Sequence, residues 1–553
     1  MNTPDASSSG KGTKEDPIDV LSAIKMVQPG GVIYLLGGVY SFDSTILIED
    51  TNNGADGKYK TIMAYPGDEV VRDFSAMEVS DSNRGVVLDG DYWYFKGFEI
   101  TKAGDNGMLL AGNDNLIELM EFNDNQDTGL QLSRYKTSNA DIGSWPSDNL
   151  ILNCTAKNNC DNETMENADG FAAKLTCGEG NVFDGCMSYN NSDDGWDLYA
   201  KSETGPIGVV TIRNCIAFRN GYTEFGEGFG DCDGNGFKLG GGGIGTAHIV
   251  ENCLAFENLN CGFTDNNNPK LGSVSKCTAY NNGIGGNGKP NFSCYRCTDD
   301  GCDFSAVLTY VNADNFNAAL APGISSAKIA NDKFVGTMEN SAYYNGGKYY
   351  NVTDKQTINN GDKIGNIVTI TDDDFISLEV APYVSASEGS GADWFDFHKE
   401  WRNADGILNT GGFLETKDSS EYKDIGIDFQ SIELPIDPID PPVTTEPIPV
   451  TTSSTTTAVT TEDVPDSTTE VTTEVIPDGT KYGDVNTDGS VNIADVVALN
   501  MYILNNEVNA ISSEGKANAD CARDNKIDAS DSLTLMNYVA MVISADKLGQ
   551  TLE

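Results

Sequence analysis

The sequence predicts an all-β protein built as a parallel β-helix, with a capping helix at its N-terminal end and a small α-helical module at its C-terminal end. Three observations carry this. At 553 residues the chain exceeds what one hydrophobic core usually supports, so it requires a repeat architecture or several domains. Its 59 glycines, with abundant Asn and Asp, point to many turns and few long helices. Most directly, one template of apolar, cysteine, small and asparagine positions recurs through the middle of the chain at intervals of 24 to 38 residues.

Asp16-Pro17 followed by Ile18, Leu21, Ile24 and Val27 reads as a short amphipathic helix with a capping Asp and Pro at its first position. It breaks at Pro29-Gly30-Gly31. A strand-like run, 32–40, follows, so the helix is placed to cover the exposed end of a strand stack.

The repeat is clearest when aligned on Cys154, Cys186, Cys215, Cys253 and Cys277. Three residues earlier stand Ile151, Phe183, Ile212, Val250 and Val274; five residues later stand Asn159, Asn191, Asn220, Asn258 and Asn282, one coil after Asn125. The asparagines read as an amide ladder at a turn. The cysteines read as an interior stack of small apolar groups rather than disulfide partners, although thirteen is an odd number and would suit a disulfide framework with a spare thiol. A second strand in each coil opens at Gly107, Gly129, Gly170, Gly195, Gly236 and Gly262. The next residue and the one two further on face the core in all but the last coil, where the second of these places holds Asp265, so Trp196 is a core filler rather than a sugar platform. The residue between them points outward, which makes Asp197 and Lys238 surface neighbours in successive coils.

Beyond about residue 303 the pattern weakens. Residues 340–345 look like one further coil, and the rest like loops sealing the far end. Residues 434–480 are rich in Pro and Thr and cannot bury enough apolar surface to fold, so they form an extended linker open to O-glycosylation. The expected division is therefore 1–433, a linker over 434–480, and a separate module over 481–553.

The residue before each strand glycine is Asn106, Thr128, Asp169, Asp194, Asn235 or Cys261. Asp169 and Asp194 thus stack in adjacent coils about 4.8 Å apart, flanked by Asp193 and Asp197. Carboxylates this close repel unless a cation joins them, and all-oxygen ligands select Ca²⁺ or Mg²⁺, with Ca²⁺ the better match to irregular geometry. An acidic turn on a very acidic surface is the plainer alternative. Lys238 lies beside this group. It can act as a base only when neutral; burial and a cation lower its pKa while the carboxylates raise it, and a solvated lysine paired with Asp197 is the competing reading. The two coils flanking Asp194 carry the longest turn insertions, so 162–167 and 222–235 would wall a cleft.

GDYWYFKGFEI (90–100), ENADGFAAKL (166–175), NNSDDGWDLY (190–199) and DGNGFKLGG (233–241) resemble the family 9 polysaccharide lyases, pectate lyases of right-handed parallel β-helix fold, over roughly residues 10–430. The resemblance implies Asp169, Asp193, Asp194 and Asp197 as calcium ligands and Lys238 as catalytic base. It implies β-elimination on polygalacturonate, with the proton leaving carbon 5 and the glycosidic oxygen leaving carbon 4, to give 4,5-unsaturated oligogalacturonides. Lys174 and Lys201 are near enough in the register to hold other substrate carboxylates.

In the last segment, Asp484, Asn486, Asp488, Ser490, Asn492 and Asp495 occupy the ligand places of a calcium loop, with Gly489 at its glycine place. A second loop runs through Asp520, Asp524, Asp528 and Asp531, with Ala522 and Asn525 departing from the pattern, so weaker binding is expected there. A helix is expected after each loop, over 496–504 and 533–542. Duplicated half EF-hands behind a Thr/Pro linker resemble dockerins, which implies a cohesin partner on a cellulosome scaffold and assigns partner choice to Ile493-Ala494 and Ala529-Ser530. A calcium-stabilised tail without a partner is the alternative.

A net charge of −49 argues against nucleic acid and anionic membrane as partners, and no apolar run is long enough to span a bilayer. The expectation is a secreted monomer, associated with a cellulosome, whose signal peptide is absent from this sequence. Rival readings are a β-helix glycoside hydrolase with paired carboxylates and a noncatalytic pectin-binding scaffold. A zinc site at Cys294, Cys297 and Cys302 lacks a fourth ligand, and Gly240–Gly245 is not a phosphate loop because no helix with Gly-Lys-Ser/Thr follows it.

Overall fold

Left-handed residues mark one bend of every coil. Asp124, Asn158, Asn190, Arg219, Glu257 and Asn281 all have φ between 47° and 56°, and each immediately precedes an asparagine whose side chain turns inward. Those asparagines form the anticipated ladder. From Asn125 through Asn159, Asn191, Asn220, Asn258 and Asn282 to Asn291, each amide donates to the next side-chain oxygen at 2.8–3.0 Å. All are buried, so every rung satisfies polar atoms that would otherwise cost about 1–3 kcal/mol each. A second ladder, Asn115 to Asn149 to Asn181, holds another bend and is a device the sequence reading missed.

The computed structural model describes residues 1–311 apart from 224–225, 228–231, 284–288, 295 and 299–300; 335–429 apart from 346, 360–362, 380–400 and 404–405; and, near the C-terminus, 481–487, 491, 493–504, 511–521, 526–527, 531–532 and 534–536. Among the described residues, three sheets of 12, 13 and 9 strands run along the coil stack, and each coil of the repeat gives one strand to each. The register follows the repeat. In the first sheet Ile117, Ile151, Phe183, Ile212, Val250 and Val274 align in turn; in the third, Met108, Leu130, Phe171, Trp196, Phe237 and Phe263 do. Their side chains fill one continuous core, with Trp196 stacked on Phe237 at 4.7 Å. The five cysteines of the repeat are free thiols, fully buried in that core.

Each strand glycine in the third sheet answers to close approach. A Cβ on Gly195 would stand 2.5 Å from the Gly236 carbonyl oxygen and 2.8 Å from Asn220 Nδ2. Ladder and glycine column are thus one device: the amide fits only because the facing residue has no side chain.

Two details differ from expectation. The N-terminal helix is Val20–Met26, capped by Asp19, whose carboxylate accepts from Ser22 N at 3.0 Å, so Pro17 precedes the helix rather than opening it. Val20, Ala23 and Ile24 join the core at that end. At the other end, strands Val335–Glu339 and Ser341–Asn345 continue the parallel stack, and Lys348–Val352, Gln356–Asn359 and Asn366–Val368 then pair antiparallel and close it. The segment 401–429, however, does not seal the end. It lies along the outer face of the second sheet, where Trp401, Phe413, Ile427 and Phe429 cover Tyr189, Phe218, Phe256 and Tyr280. Arg402 pins it, donating to the carbonyls of Gly185 at 2.8 Å and Cys154 at 3.0 Å.

The chain divides into two compact units, Met1–Thr445 and Glu446–Glu553. The boundary falls inside the expected linker, which itself lies outside the described residues. Among the described residues no helix is long and apolar enough to cross a membrane.

Candidate active site

The third sheet brings the predicted residues together. Asp197 and Lys238 are register partners in adjacent strands, Trp196–Asp197 and Phe237–Lys238. Asp194 donates its backbone N–H to Asp169 Oδ1 at 3.2 Å, so that pair stacks across adjacent coils. Asp193 is gripped from both insertions: the backbone N–H of Asn167 donates to Oδ2 at 3.0 Å and that of Asp233 to Oδ1 at 2.6 Å. Asn235 donates from both backbone and side chain to Asp194 Oδ1, at 2.7 and 2.8 Å.

These groups do not lie on an open surface, as the outward register alone suggested. Asp169 and Asp194 are fully buried and Lys238 is 8% exposed. The outward position leads into a group of carboxylates instead of into solvent. Lys238 Nζ stands 3.0 Å from Asp194 Oδ2, 2.9 Å from Asp233 Oδ2 and 3.8 Å from Asp197 Oδ2. Asp233 was missed from the sequence; its place in the turn entering the Lys238 strand was the available signal.

Burial, and then the like charges around them, push Asp169 and Asp194 well above the usual carboxylate range, against the pull of Lys174 and Lys238. For Lys238 burial opposes the charge, yet Asp194, Asp197, Asp193 and Asp233 outweigh it and hold its pKa well above the ordinary value. Of the two opposing influences named from the sequence, that of the carboxylates is the larger.

The residues fit a hard cation. Oxygens of Asp169, Asp194 and Asp197 lie within 4.8 Å of one another, as do those of Asp193, Asp194 and Asp233. Asp197 Oδ1 and Asp194 Oδ2 are buried without a hydrogen bond, the latter facing Lys238 without hydrogen-bond alignment. Buried oxygens left this way are what an oxygen-liganded cation would satisfy.

The two lysines expected to hold substrate are placed differently. Lys174 is buried, its ammonium 2.6 Å from Asp169 Oδ2 and 3.4 Å from Asp197 Oδ2, so it faces the cluster rather than a ligand in the cleft. Lys201 lies in a turn closed by its backbone bridge to Gly205, and no ion pair joins it to these aspartates. Asp265, where the core pattern lapses, is buried against Arg296 at 3.3 Å.

In the C-terminal unit, helix Ile493–Leu504 follows the first loop as expected. A helix at Ser513–Ala519, capped by Ser512, was not anticipated. Asp495 Oδ1 accepts from Asn486 N at 3.0 Å, which joins two ligand places of the first loop. Asp484, Asp495 and Asp531 are buried, and Asp520 is half-buried. Asp488, Ser490, Asn492, Asp524 and Asp528 lie outside the described residues. Val485, Val496, Leu499, Ala519, Cys521 and Leu535 form this unit's core.

A stack of parallel coils with a buried lysine and aspartate cluster on one sheet defines a class of right-handed β-helix proteins. The Pel9A-like right-handed β-helix model matches residues 1–296, and the chain belongs to that family. The dockerin type I model matches residues 482–540, so the C-terminal module is a dockerin. Pectate lyase L of Paenibacillus polymyxa (strain SC2) is 50% identical over 262 residues, 47% of this chain and 58% of that protein. Pectate lyase L of Thermoclostridium stercorarium is 45% identical over 285 residues, 51% of this chain and 22% of that protein. The chain thus spans less than two thirds of these relatives' own lengths. The crystal structure of pectate lyase Pel9A superposes with a TM-score of 0.55 at 27% identity, covering 76% of this chain and 89% of that one.

Proposed function

We propose that this protein is a pectate lyase that cleaves polygalacturonate by β-elimination at Lys238, with calcium held by Asp169, Asp193, Asp194 and Asp197. The observation that carries the reading is a lysine ammonium 3.0 Å from a buried aspartate, on a sheet face walled by two turn insertions that themselves bind the cluster. Family membership and the relatives named pectate lyase support it.

Asp194, Asp197, Asp193 and Asp233 raise the pKa of Lys238 against its burial, so it acts as a base where their field is offset. Calcium held by Asp169, Asp193, Asp194 and Asp197 would offset that field and would supply an electrophilic pull on a uronate carboxylate, acidifying the proton at carbon 5. Neutral Lys238 then takes that proton. The electron pair left behind forms the bond between carbons 4 and 5, and the glycosidic oxygen departs from carbon 4 and is protonated by solvent. Asp233 and Asp194 keep Nζ in place throughout. Lys174 balances charge from below, and Lys201 is the remaining lysine for a distal uronate.

The dockerin match supports tethering to a cohesin and hence an extracellular, cellulosome-associated setting, with calcium in one or both loops.

Incubation with polygalacturonate and calcium should produce the ultraviolet absorbance of a new double bond. Lys238→Ala should lower the rate about 10²–10⁴-fold, and a chelator should abolish it. Saturated reducing ends would instead identify a hydrolase, and binding without cleavage a scaffold.

A further inference from the structure

Lys174 is a buried cation for which the elimination chemistry has no proton to move. We propose that it is the built-in counter-ion of the aspartate cluster, a positioning residue that keeps Asp169 and Asp197 at ion-binding spacing while no ion is present. The proposal rests on the reading of this cluster as a calcium site.

The geometry divides the carboxylate oxygens between two cations. Lys174 takes Asp169 Oδ2 at 2.6 Å and Asp197 Oδ2 at 3.4 Å, one oxygen from each of two neighbouring coils. What remains is Asp169 Oδ1, on the Asp194 side, and Asp197 Oδ1, which is buried and has no hydrogen bond. The lysine therefore occupies one edge of the cluster and leaves the other open. Its own position is rigid. Lys174 follows the strand Phe171–Ala173, and its carbonyl accepts from Ser133 Oγ of the preceding coil at 2.6 Å and from Thr176 N at 2.7 Å. Only 5% of the residue is exposed, so the ammonium cannot swing to solvent and back as a substrate-gripping lysine would.

The electrostatics agree. Asp169, Asp193, Asp194, Asp197 and Asp233 crowd one sheet face, and removing one partner of a buried ion pair leaves an uncompensated charge that is far costlier than the pair. Without Lys174, the carboxylates of Asp169 and Asp197 would face each other across adjacent coils with Lys238 one coil beyond Asp197, and an incoming divalent ion would have to assemble the site as well as bind it. With Lys174 the site is assembled beforehand.

The test needs no turnover. All five tryptophans lie at or before residue 401, so their fluorescence follows unfolding of the β-helix and not of the dockerin. Full-length wild type, Lys174→Met and Lys174→Arg are melted with chelator and with calcium. Lys174→Met should melt lower in chelator, and calcium should raise its Tm by about 5 °C or more beyond the wild-type increment, because calcium then relieves repulsion that Lys174 otherwise relieves. Lys174→Arg, which keeps the charge, should show the wild-type increment. An equal drop with and without calcium would mean packing alone, and an unchanged calcium response with a raised KM would mean substrate binding; either overturns the proposal. Should Lys174→Met fold only when calcium is present from the start, the proposal stands. Should it fold in neither condition, Lys174→Arg decides, and a calcium increment unlike wild type overturns it. If calcium leaves the wild-type β-helix transition unmoved, the metal reading itself fails, an outcome distinct from all of these.

Discussion

Asp233 Oδ2 lies 2.9 Å from Lys238 Nζ, closer than any other carboxylate oxygen paired with that ammonium, although about half of the Asp233 side chain faces solvent. The same residue's backbone N–H donates to Asp193. One turn therefore contacts both the Lys238 ammonium and a carboxylate of the cluster.

This contact predicts a shift in pH dependence. Asp233 is among the carboxylates that raise the pKa of Lys238. In Asp233→Asn that contribution is lost, the fraction of neutral lysine at a given pH rises, and the acid limb of the pH profile of kcat/KM should move to lower pH. A limb that stays in place while KM alone changes would assign Asp233 to substrate binding.

A second prediction concerns stability in the absence of metal. Asp105, beside Asp127 and 3.3 Å from Arg84, has its pKa pushed from 3.8 to about 7 by burial and then by the Asp127 charge. A folded-state pKa above the unfolded one contributes stability that is full below the unfolded value and is lost as pH rises through the folded value. Chelated protein should therefore lose Tm between about pH 4 and pH 7, and Asp105→Asn, which cannot ionise, should flatten that slope. Thermal melts across this range, with tryptophan fluorescence as the signal, measure it.

The segment on the second sheet should matter to the whole stack. Trp401 is buried against Phe218 and Phe256, with ring centroids at 5.9 and 6.0 Å. Trp401→Ala should cost about 3–5 kcal/mol, read by denaturant unfolding of the full chain, while kcat of the folded fraction is unchanged because the site lies on the third sheet. A catalytic loss matching the stability loss would contradict this.

In the dockerin, Asp495 is fully buried and accepts from the Asn486 backbone. Asp495→Ala should remove calcium from the first loop and abolish cohesin capture, leaving cleavage of soluble polygalacturonate within about twofold of wild type. Pull-down on a cohesin resin and the lyase assay separate the two effects.

Much of the fold was legible in the chain because a β-helix repeats its physics every coil. Asn191 and Asn220 could be read as rungs, and Phe171, Trp196 and Phe237 as one core column, since each needs the same neighbour above and below. The segment 401–429 carried no such period. Its place depends on apolar faces of Tyr189, Phe218 and Phe256 that are distant in sequence, and no local pattern marks which sheet they leave uncovered.

The site divides in the same way. The sequence by itself determined the register, and with it the pairing of Asp197 with Lys238 and of Asp169 with Asp194, because strand period and coil repeat leave one alignment. Only the tertiary structure decided how buried these groups are, that Asp233 reaches the lysine, and that Lys174 faces Asp169 and Asp197. Those outcomes depend on where Asn167 and Asp233 meet the cluster and on electrostatic balances among side chains from several coils, neither of which is a local property of the chain.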